Sequence, residues 1–195
     1  MVEINDKVLN FSLLDKDGNA VSLYAMNSKY TVVYFYPRDN TPGCTIEAKD
    51  FSDALEEFKK LGVAIIGISG GDQKSKTKFC EKHDLKLTLL SDPEFKVAED
   101  FGSYGQKMFM GRTFLGIRRD TYLLDEEKKV IKIYRKVKAG KHVAELLDDI
   151  KELGNRIANL DNNQASQLSR YLKNAICNCA SEGSQLTTRR KNFTC

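Results

Sequence analysis

Apolar residues in the first half of the chain follow two patterns, one typical of buried strands and one typical of amphipathic helices. The runs Thr31–Tyr36 and Val63–Ile68 are continuous and rich in β-branched and aromatic residues, which predicts strands buried on both faces. Between them, apolar residues recur at helical spacing from Phe51 to Leu61, and Gly62 is placed to end that helix. Strand, helix and strand in this order predict a right-handed parallel crossover.

Further segments with strand or helix patterns extend this unit on both sides. They are two short strands within Val8–Leu23 around the turn Asp17-Gly18, a helix in Asp72–His83, a strand at Leu87–Leu90, a helix capped by Asp92 with Pro93 in its first position, a strand hairpin from Thr121 to Val137, and a closing helix Gly140–Leu153 ended by Gly154. These elements predict one α/β domain with a mixed central sheet of about five to seven strands, flanked by helices.

We expect this domain to span residues 1–154 and a C-terminal extension to span residues 155–195. From Asn155 the composition shifts to Asn, Gln and Ser. Apolar residues could still line one face of a short helix at Leu168, Leu172, Ala175 and Cys179. The last stretch, Ser181–Cys195, is predicted to be a flexible tail.

Composition favours a globular protein of the cytoplasm. The net charge of +4 is mild and does not require a nucleic acid as partner. No apolar run approaches the ~18–20 residues that a membrane span needs, and the N-terminus lacks the apolar core of a secretory signal. In a reducing compartment the five cysteines are expected to be free, reactive or packed rather than a disulfide framework.

The segment with the clearest chemistry ends at Cys44, between a buried strand and a helix. If Thr41 is the N-cap residue, Pro42 occupies the first helical position and Cys44 lies in the first turn. Its sulfur would then face unpaired backbone N–H groups at the positive end of the helix dipole, which stabilises the nucleophilic thiolate form. The alternative is that Cys44 is simply a small packed residue.

Pro37, Thr41 and Cys44 match the Pro-x-x-x-Thr-x-x-Cys motif of the peroxiredoxins, and the longer run FYPRDNTPGCTIEA is similar to the bacterioferritin comigratory protein, or PrxQ, subgroup. The resemblance extends from about Val8 to Leu153 and includes the LLSDPE segment. It implies a thioredoxin-like fold and reduction of hydrogen peroxide and organic hydroperoxides without a metal, haem or flavin cofactor. It also implies thioredoxin or a similar dithiol as reductant, and it favours a monomer.

The resemblance assigns roles to residues around Cys44. Arg119, six residues before Asp125, matches an arginine that stabilises charge on the departing oxygen. Arg118 is adjacent, but alternation along a strand would point it the other way; the alternative for Arg119 is an exposed strand charge. The Thr41 hydroxyl would bond the sulfur and the bound peroxide, and Pro37 would shield the thiolate from water.

A sulfenic acid at Cys44 has to be resolved before further oxidation destroys it. Many members of the subgroup carry a resolving cysteine five residues later, where this chain has Lys49. Another branch carries it on the following helix, at the place of Cys80. A disulfide requires Cα atoms within ~4.4–6.8 Å, so the turn that holds Cys44 would have to unwind. If Cys80 is an ordinary helix cysteine, an external thiol would resolve Cys44.

The remaining cysteines lie outside the resemblance. Cys177 and Cys179, spaced by one residue, are a poor zinc signature with only His83 and His142 to join them. Together with Cys195 they could offer a spare resolving thiol or have no catalytic consequence.

Four other functions stay open beside the two-cysteine peroxidase. The same Cys44 chemistry serves a one-cysteine peroxidase or a peroxide sensor that passes its oxidation to a partner protein. A non-catalytic binding or chaperone module would consume no peroxide. Protein disulfide exchange usually requires Cys-x-x-Cys, and here Glu47 stands where the second cysteine would be.

Overall fold

A seven-stranded mixed sheet forms the centre of the computed structural model, which describes residues 1–109, 111–156 and 158–159. In chain order the elements are β1 (Ser12–Leu14), β2 (Ala20–Ser22), β3 (Tyr30–Phe35), α1 (Pro42–Asp53), α2 (Leu55–Lys60), β4 (Val63–Ser69), α3 (Gln73–His83), β5 (Thr88–Ser91), α4 (Lys96–Asp100), β6 (Tyr104–Phe109), β7 (Arg112–Ile117), β8 (Asp120–Leu124) and β9 (Val130–Tyr134). A closing helix occupies residues 142–156.

The strands of the large sheet lie in the order β2-β1-β5-β4-β3-β8-β9. β3 and β4 are parallel, as are β4 and β5, whereas the remaining neighbours are antiparallel. All six residues of β3 are buried, as expected for a strand covered on both faces. The predicted mixed sheet flanked by helices is confirmed.

The two sides of β3 contact different layers of the fold, because successive side chains of a strand point to opposite sides of the sheet. On one face, Tyr34 stacks on Phe51 of α1 with ring centroids 4.6 Å apart, and the following Tyr36 lies 6.2 Å from Phe79 of α3. On the other face, Phe35 lies 5.1 Å from Phe101, which directly follows α4. Helices α1 and α3 therefore cover the same face of the sheet.

Gly67 on β4 allows the tyrosine layer to lie close to the sheet. A Cβ atom at this position would lie 2.5 Å from the Tyr34 ring and 2.6 Å from Leu89, which is closer than van der Waals contact allows. Glycine is therefore required by the packing at this position rather than by its backbone conformation.

The predicted helix after Cys44 is interrupted once. α1 ends at Asp53 and α2 starts at Leu55, with Ala54 between them at φ −84° and ψ −1°. Both Phe51 and Phe58 are still fully buried, with ring centroids 6.1 Å apart, so the interruption preserves the apolar face that the spacing predicts. Gly62, at φ +72°, follows α2 at the predicted place.

The predicted start of the helix after Pro93, α4, is wrong. α4 begins at Lys96, after Phe95 in a left-handed conformation, so Pro93 is not its first residue. Asp92 nevertheless caps this helix, because its carboxylate accepts a hydrogen bond from the amide of Ala98 at 2.9 Å. Asp92 was therefore correctly predicted to cap this helix, but a turn lies between Asp92 and the first residue of α4.

The hairpin of β6 and β7 was not predicted, and it forms a separate two-stranded antiparallel sheet. Met108 and Leu115 on this hairpin are 78% and 62% exposed. Apolar side chains here do not mark a buried face, so the alternation on which strand prediction relies is absent.

The closing helix continues past Gly154, contrary to the prediction that this glycine ends it. The chain divides into two units, Met1–Asp148 and Asp149–Cys195. The extension helix predicted at Leu168–Cys179 and the tail Ser181–Cys195 lie outside the described residues, and the domain boundary at 154 stays a prediction. Of the helices in the described ranges, none has both the length and the apolar composition needed to cross a membrane.

Candidate active site

Cys44 is the third residue of α1, directly after the loop that follows β3. Thr41 has extended backbone angles and is the N-cap residue, and Pro42 begins the helix. The first hydrogen bond of the helix runs from the amide of Thr45 to the carbonyl of Thr41, at 2.9 Å. This arrangement matches the sequence prediction and places the sulfur in the first turn, at the positive end of the helix dipole.

The Thr41 hydroxyl donates a hydrogen bond to the carbonyl of Arg38 at 3.1 Å. A hydroxyl has one proton, so in this conformation Thr41 does not donate to the sulfur of Cys44. Its side chain also makes no cap hydrogen bond to the first-turn amides of α1. The predicted contacts of the Thr41 hydroxyl with sulfur and peroxide stay predictions.

Arg119 contacts Cys44 directly. Its Nη2 donates a hydrogen bond to Sγ at 3.1 Å, and its Nη1 forms an ion pair with the carboxylate of Glu47. Cys44 is only 2% exposed, so the contact is largely desolvated. Burial disfavours the charged guanidinium, but Glu47 and Cys44 outweigh that effect and raise the pKa of Arg119. Arg119 therefore places a permanent positive charge against the sulfur.

Arg118 points elsewhere, although neither arginine lies on a strand as the sequence suggested. Both are in the connection between β7 and β8. The Nε of Arg118 lies 3.6 Å from the buried carboxylate of Asp120, and its Nη2 donates to the carbonyl of Gly102. Arg38 is exposed. The geometry thus favours Arg119 over both alternatives as the partner of the sulfur.

Glu47 is the residue of the site that the sequence analysis missed. Its side chain is 1% exposed, and burial raises its pKa to about 7, with Arg119 acting in the opposite direction. One carboxylate oxygen binds Arg119, and the other has no hydrogen-bond partner among the described residues. Its position three residues after Cys44, on the same helix face, was the available signal.

A cleft of about 540 Å³ opens beside Arg119, and Pro37 forms part of its wall. Lys107, Arg118 and Lys136 add positive charge to this wall, and Met108 adds apolar surface. Another cleft, of about 550 Å³, lies between Lys29, Lys59 and Lys86 at the opposite edge of the sheet, where β3 and β4 begin. Of these two clefts, the one beside Arg119 adjoins the carboxyl end of β3, from which Cys44 follows.

Cys80 lies on α3 and is 4% exposed. Cys44 and Cys80 are both free thiols in this structure. Burial raises the pKa of the Cys80 thiol, and the nearby Lys16 opposes that effect. Lys49, which stands where many members of the subgroup have a resolving cysteine, is exposed on α1.

The described residues contain no cluster of three or more His, Cys, Asp or Glu side chains that could hold a metal ion. Cys177, Cys179 and Cys195 lie outside that part of the chain. Of the two histidines weighed as their partners, His142 is buried and lies 2.8 Å from the hydroxyl of Thr121.

Comparison with known proteins identifies the family of this chain. The AhpC/TSA family matches residues 4–133. Peroxiredoxin Bcp of Bacillus subtilis is 44% identical over 155 residues, which cover 80% of this chain and 99% of that protein. Peroxiredoxin Bcp of Escherichia coli is 39% identical over 151 residues, which cover 77% and 97% of the two chains.

Solved structures agree with this result. Peroxiredoxin Q of Xanthomonas campestris superimposes with a TM-score of 0.69 at 37% identity, covering 73% of this chain and 90% of that one. Its structures include variants with a cysteine replaced by serine at either of two positions. The thioredoxin-like fold and the subgroup predicted from the sequence are thereby confirmed. This chain belongs to the AhpC/TSA family, and its relatives in it are the Bcp and PrxQ peroxiredoxins, which makes it a thiol peroxidase.

Proposed function

We propose that this protein is a two-cysteine peroxidase in which Cys44 reduces hydroperoxides and Cys80 resolves the oxidised Cys44. The observation that carries the proposal is the 3.1 Å contact between Nη2 of Arg119 and Sγ of Cys44 in the first turn of α1. It joins a nucleophile to a fixed positive charge in a largely desolvated site, which is the arrangement that peroxide attack requires.

In the first step the sulfur of Cys44 attacks the nearer oxygen of the O–O bond. The S–O bond forms as the O–O bond breaks, and negative charge grows on the oxygen that leaves as water or an alcohol. Arg119 and the amides of the first turn stabilise that charge. Thr41 contributes a hydroxyl once it turns away from the carbonyl of Arg38, and Pro37 limits the access of water.

The cleft beside Arg119 admits hydrogen peroxide and organic hydroperoxides. Its volume of about 540 Å³ exceeds what hydrogen peroxide needs, and it combines apolar Met108 with the cationic Lys107 and Lys136. Antioxidant defence is the role that follows from this chemistry.

In the second step the thiol of Cys80 attacks the sulfenic acid of Cys44. An S–S bond replaces the S–O bond, and the hydroxyl leaves with the thiol proton as water. Two observations support Cys80. First, the position five residues after Cys44 is Lys49 and so offers no resolving thiol. Second, the serine variants of the Xanthomonas protein lie at two positions with the same sequence separation as Cys44 and Cys80. Thioredoxin or a similar dithiol would then reduce the disulfide, in the cytoplasm and with the protein as a monomer.

A second candidate is a one-cysteine peroxidase or a sensor that hands its oxidation to a partner. The burial of Cys80, which raises the pKa of its thiol, favours it, because a buried protonated thiol is a slow attacking group. In that case an external thiol reaches Cys44 instead.

Intact-mass analysis of the reduced full-length chain after one equivalent of hydrogen peroxide, followed by peptide mapping, separates these candidates. A loss of two hydrogens mapped to Cys44 and Cys80 supports the two-cysteine peroxidase. Added oxygen on Cys44 alone identifies the one-cysteine mechanism. Cys44→Ser is the control, and peroxide consumption near the wild-type rate in that variant would reject Cys44 as the nucleophile.

A further inference from the structure

A lysine and an aspartate form a buried ion pair between the helix that carries Cys80 and the loop that leads to Cys44. The Lys76 side chain on α3 is fully buried, and its Nζ lies 3.0 Å from a carboxylate oxygen of Asp39. It also donates to the hydroxyl of Ser69 at 2.6 Å and to the carbonyl of Gly71 at 3.3 Å. The ammonium group, with its three protons, therefore has three partner groups, one carboxylate, one hydroxyl and one carbonyl.

Asp39 is satisfied to a similar degree. Its side chain is 2% exposed and accepts hydrogen bonds from the hydroxyls of Tyr36 and Ser75, each at 2.7 Å, besides the two from Lys76. The hydrogen bonds to both groups offset part of the cost of burying the two charges. Removal of one partner is costly, because the other charge is then left buried without compensation.

The pair joins the two segments that carry the cysteines. Asp39 lies in the loop between β3 and α1, five residues before Cys44. Lys76 lies on α3, four residues before Cys80 and therefore on the same helix face. Ser75, from the same helix, adds a further bond to Asp39. As long as these bonds persist, the Cys44 loop and the Cys80 helix keep their present positions.

Cys44 and Cys80 do not form a disulfide in that arrangement, and both are almost fully buried. The two sulfurs are unbonded in this structure, and we expect the loop or the helix to shift when they bond. A shift that separates Asp39 from Lys76 breaks bonds that are shielded from water.

We propose that the Asp39–Lys76 pair is a positioning device that keeps the protein in the peroxide-reactive conformation and delays the attack of Cys80 on oxidised Cys44. The proposal rests on Cys80 as the resolving cysteine. The delay decides between two fates of the sulfenic acid. Cys80 converts it to the disulfide with release of water, whereas a second hydroperoxide converts it to sulfinic acid with release of water or alcohol. A stronger ion pair lengthens the lifetime of the sulfenic acid, and a second hydroperoxide then oxidises a larger fraction of it.

Lys76→Met tests this directly. It leaves Asp39 buried without a counter-charge, so opening to water becomes favourable and disulfide formation should accelerate by roughly tenfold or more. Ser75→Ala removes one hydrogen bond to Asp39 and should accelerate it by about threefold. Lys74→Met removes the same charge from an exposed position of the same helix and should leave the rate unchanged.

The double variant Asp39→Asn with Lys76→Met removes both charges and should return the rate toward wild type. The rates are measured by rapid quenching and intact mass after one equivalent of hydrogen peroxide. The sulfinic fraction is measured after excess peroxide and should fall as the disulfide rate rises. Hydrogen exchange of the α3 amides in the reduced protein should be faster in Lys76→Met, a change that does not depend on turnover.

Disulfide formation at the wild-type rate, or slower, in Lys76→Met and Ser75→Ala would overturn the proposal. If Lys76→Met fails to fold, the disulfide rate of Ser75→Ala, compared with that of Lys74→Met, tests the proposal by itself. Failure of the proposed function has a different signature, because then the wild-type chain itself forms no bond between Cys44 and Cys80.

Discussion

Nη2 of Arg119 lies 3.1 Å from the sulfur of Cys44, although the two residues are 75 positions apart in the chain. Strand pairing brings them together. Cys44 follows the carboxyl end of β3, and Arg119 immediately precedes β8, whose first residue, Asp120, pairs with Phe35 at the end of β3. The register of one antiparallel strand pair therefore sets the distance between the sulfur of Cys44 and the guanidinium of Arg119.

Arg119→Ala should slow the oxidation of Cys44 by about 10²–10³-fold, which is typical for the loss of one donor to a developing oxyanion. Stopped-flow measurement of the reaction with hydrogen peroxide checks it. Arg118→Ala is the matched comparison, since Arg118 lines the same cleft but contacts Asp120 and Gly102 rather than the sulfur, so it should slow the reaction less. A wild-type rate in Arg119→Ala would move the role to Arg118 or Arg38.

Cys80→Ser should leave the oxidation of Cys44 intact and stop turnover supported by thioredoxin. The reason is that thioredoxin reduces disulfides, and without Cys80 the sulfenic acid has no partner thiol on this chain within the described residues. A coupled assay with thioredoxin and its reductase measures turnover, and a single-turnover experiment measures the first step. Cycling at the wild-type rate would exclude Cys80 as the resolving residue.

Glu47 should make the stability of the protein depend on pH. Burial raises its pKa from 4.5 to about 7, so between these values the folded protein keeps a proton that the unfolded chain releases. This contribution is complete below pH 4.5 and is lost as the pH rises to about 7, by up to about 3 kcal/mol for a shift of this size.

Glu47→Gln removes the titration, so the free energy of unfolding of the wild type should fall relative to that of the variant over this pH range. Urea denaturation at several pH values measures the difference. Parallel pH profiles for the two proteins would show that Glu47 does not titrate there.

Two tyrosines on the same face of the sheet should respond in opposite ways to loss of the hydroxyl. The Tyr34 hydroxyl is buried and has no hydrogen-bond partner among the described residues, so Tyr34→Phe should leave stability unchanged or raise it by about 1 kcal/mol. The Tyr36 hydroxyl donates to Asp39 at 2.7 Å, so Tyr36→Phe should cost about 1–3 kcal/mol. Thermal and urea unfolding of both variants test the contrast, and equal effects would contradict it.

Most of the fold could be predicted from local patterns. The continuous apolar runs at β3 and β4 and the capping chemistry of Thr41 and Pro42 each reflect a preference that acts within a few residues. Predictions failed where local preference was weak or overruled. The β6–β7 hairpin exposes its apolar side chains, and Pro93 lies in a turn that delays α4 to Lys96.

Cys44 was recognisable as the candidate nucleophile from its immediate neighbours, because they form the cap and the helix start that surround it. The sequence also supplied a cysteine at position 80 and two adjacent arginines as candidates. The folded structure was needed to show that Arg119 faces the sulfur and that the carboxylate of Glu47 binds the same guanidinium group. It was also needed to show that Asp39 and Lys76 join the two cysteine-bearing segments. Charge–charge contacts in a desolvated interior depend on distances that strand register and helix packing set, and neither can be deduced from residues that are far apart in the chain.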